Sequence, residues 1–339
     1  MSEKQLILGV DVSQHQLDVA CYATPKVSAW GDFKNQTDGF CQIQAMVKAQ
    51  KAQQSASDVL IIIEPTGGYE QAFARFALSC GWQVALPNPR TVRHWATGMG
   101  IRAKTDKVDA AMLARYGAQT QPPRWNPPPE AIETLDQMLA RLSELETMHR
   151  SETNRLAALL RQPVPSEPAK LSLETSLSFL SDQITTLKQE IDCHFEHHPK
   201  LQSQKHHLQS IPGVGTKNAN FLLVALHRFT ALTNGQGTSK ALTAYAGLDP
   251  VPYESGTSVL RRPGISKQGN VQLRHYLFLG ALGGKRGDNP LRAFYHRLIG
   301  RGKPKMVALI ACARKILVWS WAIFKSNTVF DAQKVTTTF

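Results

Sequence analysis

The chain has 339 residues, 42% of them hydrophobic, and a formal net charge of +13 at pH 7. This length supports two or three domains with substantial cores and excludes a single small module. The charge indicates a polyanionic partner, and it is unevenly distributed, because residues 201–339 hold 19 of the 39 Lys and Arg residues but only 4 of the 26 Asp and Glu residues.

The cysteines and the apolar segments exclude further classes of protein. Five scattered cysteines without a Cys-x-x-Cys pair argue against a disulfide-bonded secreted protein and against a zinc ribbon. The first apolar run is short and ends at Asp11, unlike a secretory signal. The segment Met306 to Phe324 carries Arg314 and Lys315 at its centre, which predicts a packed, partly amphipathic helix instead of a membrane span. We therefore expect a cytoplasmic protein.

Strand and helix patterns alternate through the first 120 residues or so. Strands are predicted at Gln5 to Val12, His15 to Ala23, Ala29 to Phe33, Val59 to Ile63 and Val84 to Pro87. Helices are predicted at about Phe40 to Ala52, at Tyr69 to Cys80, and after Pro87 as far as Tyr116. Three strands in quick succession, followed by alternating helix and strand, predict a mixed sheet flanked by helices. This is the ribonuclease H-like order of elements.

Two of these strands end in an acidic residue. Asp11 follows the apolar run Leu6 to Val10, and Glu64 follows Val59 to Ile63. A continuous apolar run is typical of a strand buried on both faces, so each strand would present one carboxylate at its tip.

A second acidic pair lies at the start of a predicted helix. Asp106 and Asp109 are three residues apart, so both project from one helix face. Four carboxylates held close together would repel one another unless a divalent cation lay among them, and hard oxygen ligands suit Mg2+ or Mn2+. The pattern predicts a metal-dependent phosphoryl-transfer centre.

Other interpretations of these acidic residues remain open at this stage. Any one of them could be only a helix cap or a turn residue. An actin-like ATPase also begins with a strand that reads Gly-hydrophobic-Asp, but it should carry further glycine-rich phosphate loops, and no convincing one follows in this sequence.

The middle of the chain is proline-rich and then acidic and helical. Five prolines between Pro122 and Pro129 predict a semi-rigid connection. Two helical stripes follow, Leu135-Leu139-Leu142-Leu145 and the heptad seam Leu173-Leu177-Leu180-Ile184-Leu187-Ile191. They predict a helical coiled-coil hairpin, which either closes on itself or offers its seams to another protomer.

The basic C-terminal part contains two candidate nucleic-acid-binding regions. A helix-hairpin-helix-like turn at Ile211 to Lys217 would present backbone N–H groups to a phosphate, which makes Gly213, Gly215 and Lys217 candidates. Further on, glycines and hydroxyl residues alternate with basic ones, and a hydroxyl there is a plausible nucleophile. The remaining candidates for phosphate contacts are Lys104, Arg261, Arg262, Ser266, Lys267 and Arg274.

Taken together, these motifs resemble those of the DEDD transposases of the insertion-sequence one-ten family, recombinases related to the pilin-gene invertase and guided, in several members, by a structured bridge RNA. The resemblance spans nearly the whole chain. The motifs that carry it are Gly9-Val10-Asp11, Ile63 to Gly67, Lys104 to Ala110, Ile211 to Gly215, Ala246 to Pro250, Tyr253 to Gly256 and Ile265 to Asn270.

The resemblance implies a RuvC-like domain at residues 1–121, an assembly segment at 122–200 and a mostly helical, basic transposase domain at 201–339. It places the four family carboxylates on Asp11, Glu64, Asp106 and Asp109, which would bind Mg2+ or Mn2+, and the nucleophilic serine on Ser255. It also implies a covalent phosphoserine intermediate, donor and target DNA, a guide RNA, dimers that pair into tetramers, and a bacterial, nucleoid-associated location. Two rival functions remain, a Holliday-junction resolvase that uses water and a non-catalytic nucleic-acid scaffold.

Overall fold

The computed structural model describes residues 5–23, 26–100, 106–255 and 259–333. The chain forms two compact units, Met1–Pro127 with Thr230–Gln236, and Pro128–Phe229 with Gly237–Phe339. The predicted helical hairpin and most of the basic C-terminal part belong to the second unit, where their buried residues share one core. The division into three domains stays a prediction.

The first unit is built on a five-stranded mixed sheet with the order β3-β2-β1-β4-β5. Its elements are β1 (Gln5–Val12), β2 (Gln16–Ala23), β3 (Lys26–Lys34), α1 (Thr37–Gln54), β4 (Asp58–Ile63), α2 (Gln71–Ser79), β5 (Gln83–Ala85), α3 (Pro89–Gly98) and α4 (Asp106–Thr120). The first three strands pair antiparallel, whereas β4 pairs parallel with both β1 and β5. The predicted mixed sheet flanked by helices is therefore confirmed.

The two central strands are buried on both faces, as their continuous apolar runs predict. In β1, Leu6 and Leu8 belong to one core cluster, and Ile7 belongs to the cluster on the opposite face. In β4, Ile61 and Ile62 are divided between the same two clusters.

Helix α4 covers the Ile7 face and runs antiparallel to β1. A Cβ atom on Gly9 would lie 2.1 Å from the carbonyl oxygen of Ala110, near the start of the helix. A Cβ atom on Gly117, two turns later, would lie 2.4 Å from Ile62 Cγ1 and 3.2 Å from Ile7 Cγ2. The N-terminus of α4 therefore lies at the end of the sheet where β1 reaches Asp11.

The second unit is mostly helical and contains one two-stranded sheet. Its elements are α5 (Glu130–Leu159), α6 (Glu167–Glu196), α7 (Pro199–Gln209), α8 (Thr216–Leu232), α9 (Ser239–Tyr245), β6 (Pro250–Ser255), β7 (Val259–Ile265), α10 (Val271–Gly284), α11 (Pro290–Gly300) and α12 (Lys305–Ser326); the last residues of α8, from Thr230, belong to the first unit. Strands β6 and β7 pair antiparallel.

The two longest helices, α5 and α6, pack against each other within the second unit. His194 Nε2, near the end of α6, lies 2.8 Å from the carbonyl oxygen of Ala131 at the start of α5, so the two helices are antiparallel. Leu135 and Leu139 of α5 are buried in the core of the unit together with Ile191 of α6. A coiled-coil geometry for the pair stays a prediction.

Helix α12 is the one described helix that is long and apolar enough, by length and composition, to span a membrane. Ten of its residues are buried, among them Cys312, Ile316 and Leu317, which lie in the core of the second unit. The prediction of a packed helix is confirmed.

Candidate functional site

The first two predicted catalytic carboxylates follow neighbouring positions of β1 and β4. Val10 pairs with Ile63, so the next residues, Asp11 near the end of β1 and Glu64 just after β4, lie side by side on the sheet face that α4 covers. Both residues are partly exposed. One oxygen of Asp11, Oδ1, accepts a hydrogen bond of 3.0 Å from the backbone N–H of Val12.

The third and fourth carboxylates begin α4. Asp109 directly precedes Ala110, whose backbone touches Gly9, and Asp106 lies about one helical turn earlier. Two residues along β1 from Gly9 advance the chain by about 6.7 Å, and one helical turn advances it by about 5.4 Å, so the helix start and Asp11 lie at the same end of the sheet. The tertiary fold therefore brings all four positions to one edge of the first unit.

These donors are of the right chemical type for a divalent cation. Carboxylate oxygens are the ligands that Mg2+ and Mn2+ prefer, so the residues fit such an ion. Among the described side chains, which do not include that of Asp106, no three acidic, His or Cys residues form a ready metal-binding group.

A further acidic residue at this edge was missed by the sequence analysis. Asp18 of β2 is the direct cross-strand partner of Asp11, and Asp32 of β3 is in turn the partner of Asp18. The side chain of Asp18 accepts a hydrogen bond of 3.3 Å from Gln16 Nε2. The sequence signal that could have identified Asp18 was its position between the apolar residues Leu17 and Val19. Because side chains alternate along a strand, Leu17 and Val19 are buried on one face and Asp18 lies on the other.

The loop after Glu64 is held by Glu70, which is only 4% exposed. The carboxylate of Glu70 accepts hydrogen bonds from the N–H of Thr66 at 3.0 Å and of Gly68 at 2.9 Å, and from Thr66 Oγ1 at 3.3 Å. Burial alone would raise the pKa of this carboxyl, but the hydrogen bonds it accepts from the backbone and from Gln71 outweigh burial and hold its pKa below the ordinary value.

A second side chain joins the loops that follow the two carboxylate-bearing strands. Asn35 Nδ2 donates to the carbonyl oxygens of Ser13, at 3.0 Å, and Tyr69, at 3.1 Å. Ser13 lies two residues after Asp11, and Tyr69 immediately precedes Glu70. Neither Asn35 nor Glu70 can be identified as a supporting residue from the sequence. Asn35 bonds two loops that are distant from it in the chain, and Glu70 bonds backbone N–H groups, which every residue type except proline provides.

The candidate nucleophile lies in the second unit. Ser255 is the last residue of β6, and its backbone pairs with Val259, the first residue of β7. The side chains of Ser255, Arg261 and Arg262 are outside the described part of the structure, and Lys104 lies outside the described residues altogether.

Two predicted phosphate contacts near this hairpin already have protein partners. The hydroxyl of Ser266 donates to Asp249 Oδ1, and Arg274 Nη1 donates to the carbonyl oxygen of Ala246 at 3.1 Å. Lys267 is exposed and has the left-handed backbone angle φ 54°. Contact of these residues with nucleic acid stays a prediction.

The two glycines of the turn before α8 differ in their surroundings. Gly213, at φ 88°, packs against α10, and a Cβ atom there would lie 2.2 Å from the carbonyl oxygen of Gly280. Gly215 is exposed, with no atom within 4 Å of a Cβ placed on it. Lys217 is bonded to the carboxylate of Glu146, and its Nζ lies 5.8 Å from the ring centroid of Tyr276. Of the two glycines, only Gly215 has the open surface that a phosphate needs.

Comparison with protein families gives two matches along the chain. A DEDD transposase model of IS110, described as "Transposase", matches residues 8–165, and a model described as "Transposase IS116/IS110/IS902 family" matches residues 205–296.

Similar proteins come from several bacteria. The chain is 32% identical over 329 residues to the pilin gene-inverting protein of Moraxella lacunata. This alignment covers 96% of this chain and 97% of that protein. It is also 32% identical over 162 residues to the "Insertion element IS110 uncharacterized 43.6 kDa protein" of Streptomyces coelicolor, covering 48% of this chain and 38% of that protein. Among solved structures, RuvC of T. thermophilus in complex with a Holliday junction substrate aligns at 15% identity over 34% of this chain and 93% of that chain. The TM-score of this alignment, 0.24, is too low to indicate a shared fold.

Proposed function

The chain belongs to the IS110-family transposases, and from that premise we propose that it cleaves and rejoins DNA through two groups of residues, the four carboxylates of the first unit and Ser255 of the second. The observation that carries the proposal is the close approach of Gly9 to Ala110, which brings the N-terminus of α4 to the tips of β1 and β4. This contact positions the start of α4, and with it Asp106 and Asp109, at the end of the sheet that carries Asp11.

In this proposal, Asp11, Glu64, Asp106 and Asp109 hold Mg2+ or Mn2+. The chemistry that such an ion supplies when bound is neutralisation of the charge that develops on the scissile phosphate. The protein's own contribution is to hold the four carboxylates on two neighbouring strands and one helix. The loop after Glu64 is fixed by Glu70 and joined to the loop after Asp11 by Asn35.

Ser255 supplies the nucleophile. Its Oγ attacks the scissile phosphorus, the hydroxyl proton passes to a general base, and the bond from phosphorus to the leaving deoxyribose oxygen breaks as that oxygen takes up a proton. A phosphoserine ester with the DNA results. Attack by a deoxyribose hydroxyl of the partner strand on the same phosphorus reverses these steps and releases Ser255, so strands are exchanged without ATP.

The carboxylates and Ser255 belong to different units of the chain. We propose that cleavage requires an assembly of protomers on donor and target DNA, dimers pairing into tetramers, with α5 and α6 as the assembly element. A structured bridge RNA that base-pairs with both DNAs would give specificity, and the basic residues 201–339 would bind the phosphate backbone of either nucleic acid.

The test is a cleavage assay with purified protein, Mg2+, RNA transcribed from the non-coding end of the element and labelled junction DNA, followed by denaturing gels that reveal protein-linked DNA. We expect a covalent adduct that Ser255→Ala abolishes and that Ser258→Ala, a control three residues away, retains. Cleavage that depends on Mg2+ but gives no adduct would identify a resolvase that uses water. Adduct formation without RNA would remove the guide from the proposal.

A further inference from the structure

Two sequence motifs that the proposed function leaves unused flank the hairpin formed by β6 and β7. The first motif, residues 246–250, ends at the first residue of β6, and the second, residues 265–270, begins at the last residue of β7. Pro250 pairs with Ile265 at the base of the hairpin, and Ser255 pairs with Val259 at the other end of the ladder. Asp249 and Ser266 are therefore the first residues outside the paired strands, and they lie opposite each other.

Asp249 and Ser266 are bonded through both side chain and backbone. The Ser266 hydroxyl donates to Asp249 Oδ1, and the Ser266 N–H donates to the Asp249 carbonyl oxygen at 2.9 Å. Ser266 Oγ also lies 3.4 Å from the backbone nitrogen of Gln268, from which it accepts a hydrogen bond. Both residues are partly buried, so water competes less well for these bonds than at an open surface.

One step further from the hairpin, the two motifs are in contact through their backbones. Lys267 N–H donates to the carbonyl oxygen of Gly247 at 3.1 Å. A Cβ atom on Gly269 would lie 2.2 Å from the carbonyl oxygen of Tyr245, and one on Gly247 would lie 2.9 Å from the backbone nitrogen of Gln268. These approaches leave no room for a side chain at either glycine, which explains why both positions are glycine.

The contacts fasten the base of the hairpin to two helices of the core. Arg274 Nη1, on α10, bonds the carbonyl oxygen of Ala246 at the end of α9. Asn270 Oδ1 caps α10 by accepting a 3.0 Å bond from the N–H of Leu273. Ala246 and Leu273 are buried in the core cluster of the second unit. The hairpin is thus held at its base by a rigid support.

We propose that the Asp249–Ser266 bond is a latch that fixes the direction in which the β6–β7 hairpin leaves the core, and hence the position of Ser255 during DNA cleavage. Asp249 and Ser266 are positioning residues, and Ser266 acts on its protein partner instead of on a phosphate. The proposal rests on the proposed role of Ser255 as nucleophile. A displacement of about 1 Å at a reacting group is enough to lower a rate by about 100-fold.

The test compares four full-length variants with the wild type. Ser266→Ala and Asp249→Ala remove the side-chain bond, whereas Ser266→Thr and Asp249→Asn retain a donor and an acceptor. Ser239→Ala, which removes an exposed hydroxyl elsewhere in the second unit, is the control. Three quantities are measured: hydrogen exchange of the backbone amides of β6 and β7, the Kd for the DNA, and the rate of protein–DNA adduct formation.

We expect the two alanine variants to exchange the hairpin amides at least about tenfold faster and to form adduct about 10- to 100-fold more slowly, with the Kd changed less than about threefold. The threonine and asparagine variants should stay within about threefold of the wild type in rate. If an alanine variant does not fold, Ser266→Cys, with a weak S–H donor, replaces it under the same expectation.

Adduct formation by the alanine variants at the wild-type rate would overturn the latch, and so would a Kd that weakens in step with the rate, because that result would make Ser266 a DNA contact. If the wild type forms no adduct, the proposed role of Ser255 fails. Hydrogen exchange then still decides the latch, because exchange unchanged by Ser266→Ala overturns it.

Discussion

The backbone of Gly9 in β1 lies directly against the backbone of Ala110 in α4. A Cβ atom at Gly9 would lie 2.1 Å from the Ala110 carbonyl oxygen and 2.4 Å from the Ala114 nitrogen. Neither of these atoms can move without displacing the helix. The absence of a side chain at Gly9 therefore sets the distance between the β1 carboxylate and the two carboxylates of α4.

Gly9→Ala should push α4 away from the sheet. We expect a loss of about 1–3 kcal/mol in the free energy of unfolding, as for an overpacked core, together with loss of Mg2+-dependent cleavage. Urea unfolding and the cleavage assay measure the two effects. Gly98→Ala is the matched control, because a Cβ atom there meets nothing within 4 Å. Wild-type stability and cleavage in Gly9→Ala would show that the approach is not required.

Asp11→Asn and Glu64→Gln should each lower the cleavage rate by about 1,000-fold, because each removes a carboxylate from a site where a bound divalent ion would contribute several kcal/mol to the transition state. Mn2+ binding, followed by electron paramagnetic resonance, should weaken in parallel, whereas DNA affinity should not fall. Asp32→Asn removes an exposed acidic residue of the same sheet and is the control. If the two variants bound Mn2+ like the wild type, these residues would not be ligands.

Glu70→Ala should destabilise the first unit by about 1–3 kcal/mol, because it removes the buried carboxylate that accepts hydrogen bonds from the N–H groups of Thr66 and Gly68. The pKa of Glu70 is lower in the folded state than its ordinary value of 4.5. The carboxylate therefore stabilises the fold above that pH, and this contribution is lost as the pH falls through the lower, folded-state pKa. Glu70→Gln should accordingly unfold with a shallower acid dependence than the wild type, and Asp58→Asn, an exposed control, should not.

His227 should make the second unit sensitive to mild acid. Burial, with a smaller contribution from Lys200, lowers the pKa of His227 from 6.5 to about 4, and its Nε2 lies 3.0 Å from Gln204 Oε1. Because the unfolded chain binds a proton more readily between these two values, stability should decrease as the pH falls from about 6.5 to 4, by at most about 3 kcal/mol. His227→Gln should remove most of this slope in urea unfolding at pH 7 and pH 5. His206→Gln, at an exposed position, should retain it.

The two glycines before α8 should separate packing from DNA binding. Gly213→Ala should cost about 3 kcal/mol or more of unfolding free energy, because it combines a left-handed φ with a clash against Gly280. Gly215→Ala should stay within about 0.5 kcal/mol of the wild type, since its surroundings are open. If the turn contacts a phosphate, only Gly215→Ala should weaken DNA affinity without loss of stability. Equal DNA affinity in that variant would contradict the predicted contact.

The sequence was sufficient for the strands of the first unit and for the carboxylates that follow two of their apolar runs, whereas it did not predict the hairpin of β6 and β7. The apolar runs before Asp11 and Glu64 predicted β1 and β4 correctly, because burial on both faces leaves a continuous local pattern. The mixed sheet followed from the order of strands and helices. In contrast, residue spacing could not separate Ser255 from neighbouring serines, and its selection depends on the resemblance to the family.

Only the tertiary structure decided which distant residues meet. The pairing of Asp18 with Asp11, the support of the Glu64 loop by Glu70 and Asn35, and the bond between Asp249 and Ser266 all depend on strand register or on loops brought together by packing. The periodicity of apolar residues indicates which side chains of a segment face the core and which face the solvent, and it therefore predicts strands and helices. It contains no information about the register between segments or about backbone hydrogen bonds, so the positions that hold the candidate site in place emerge only when the chain is folded.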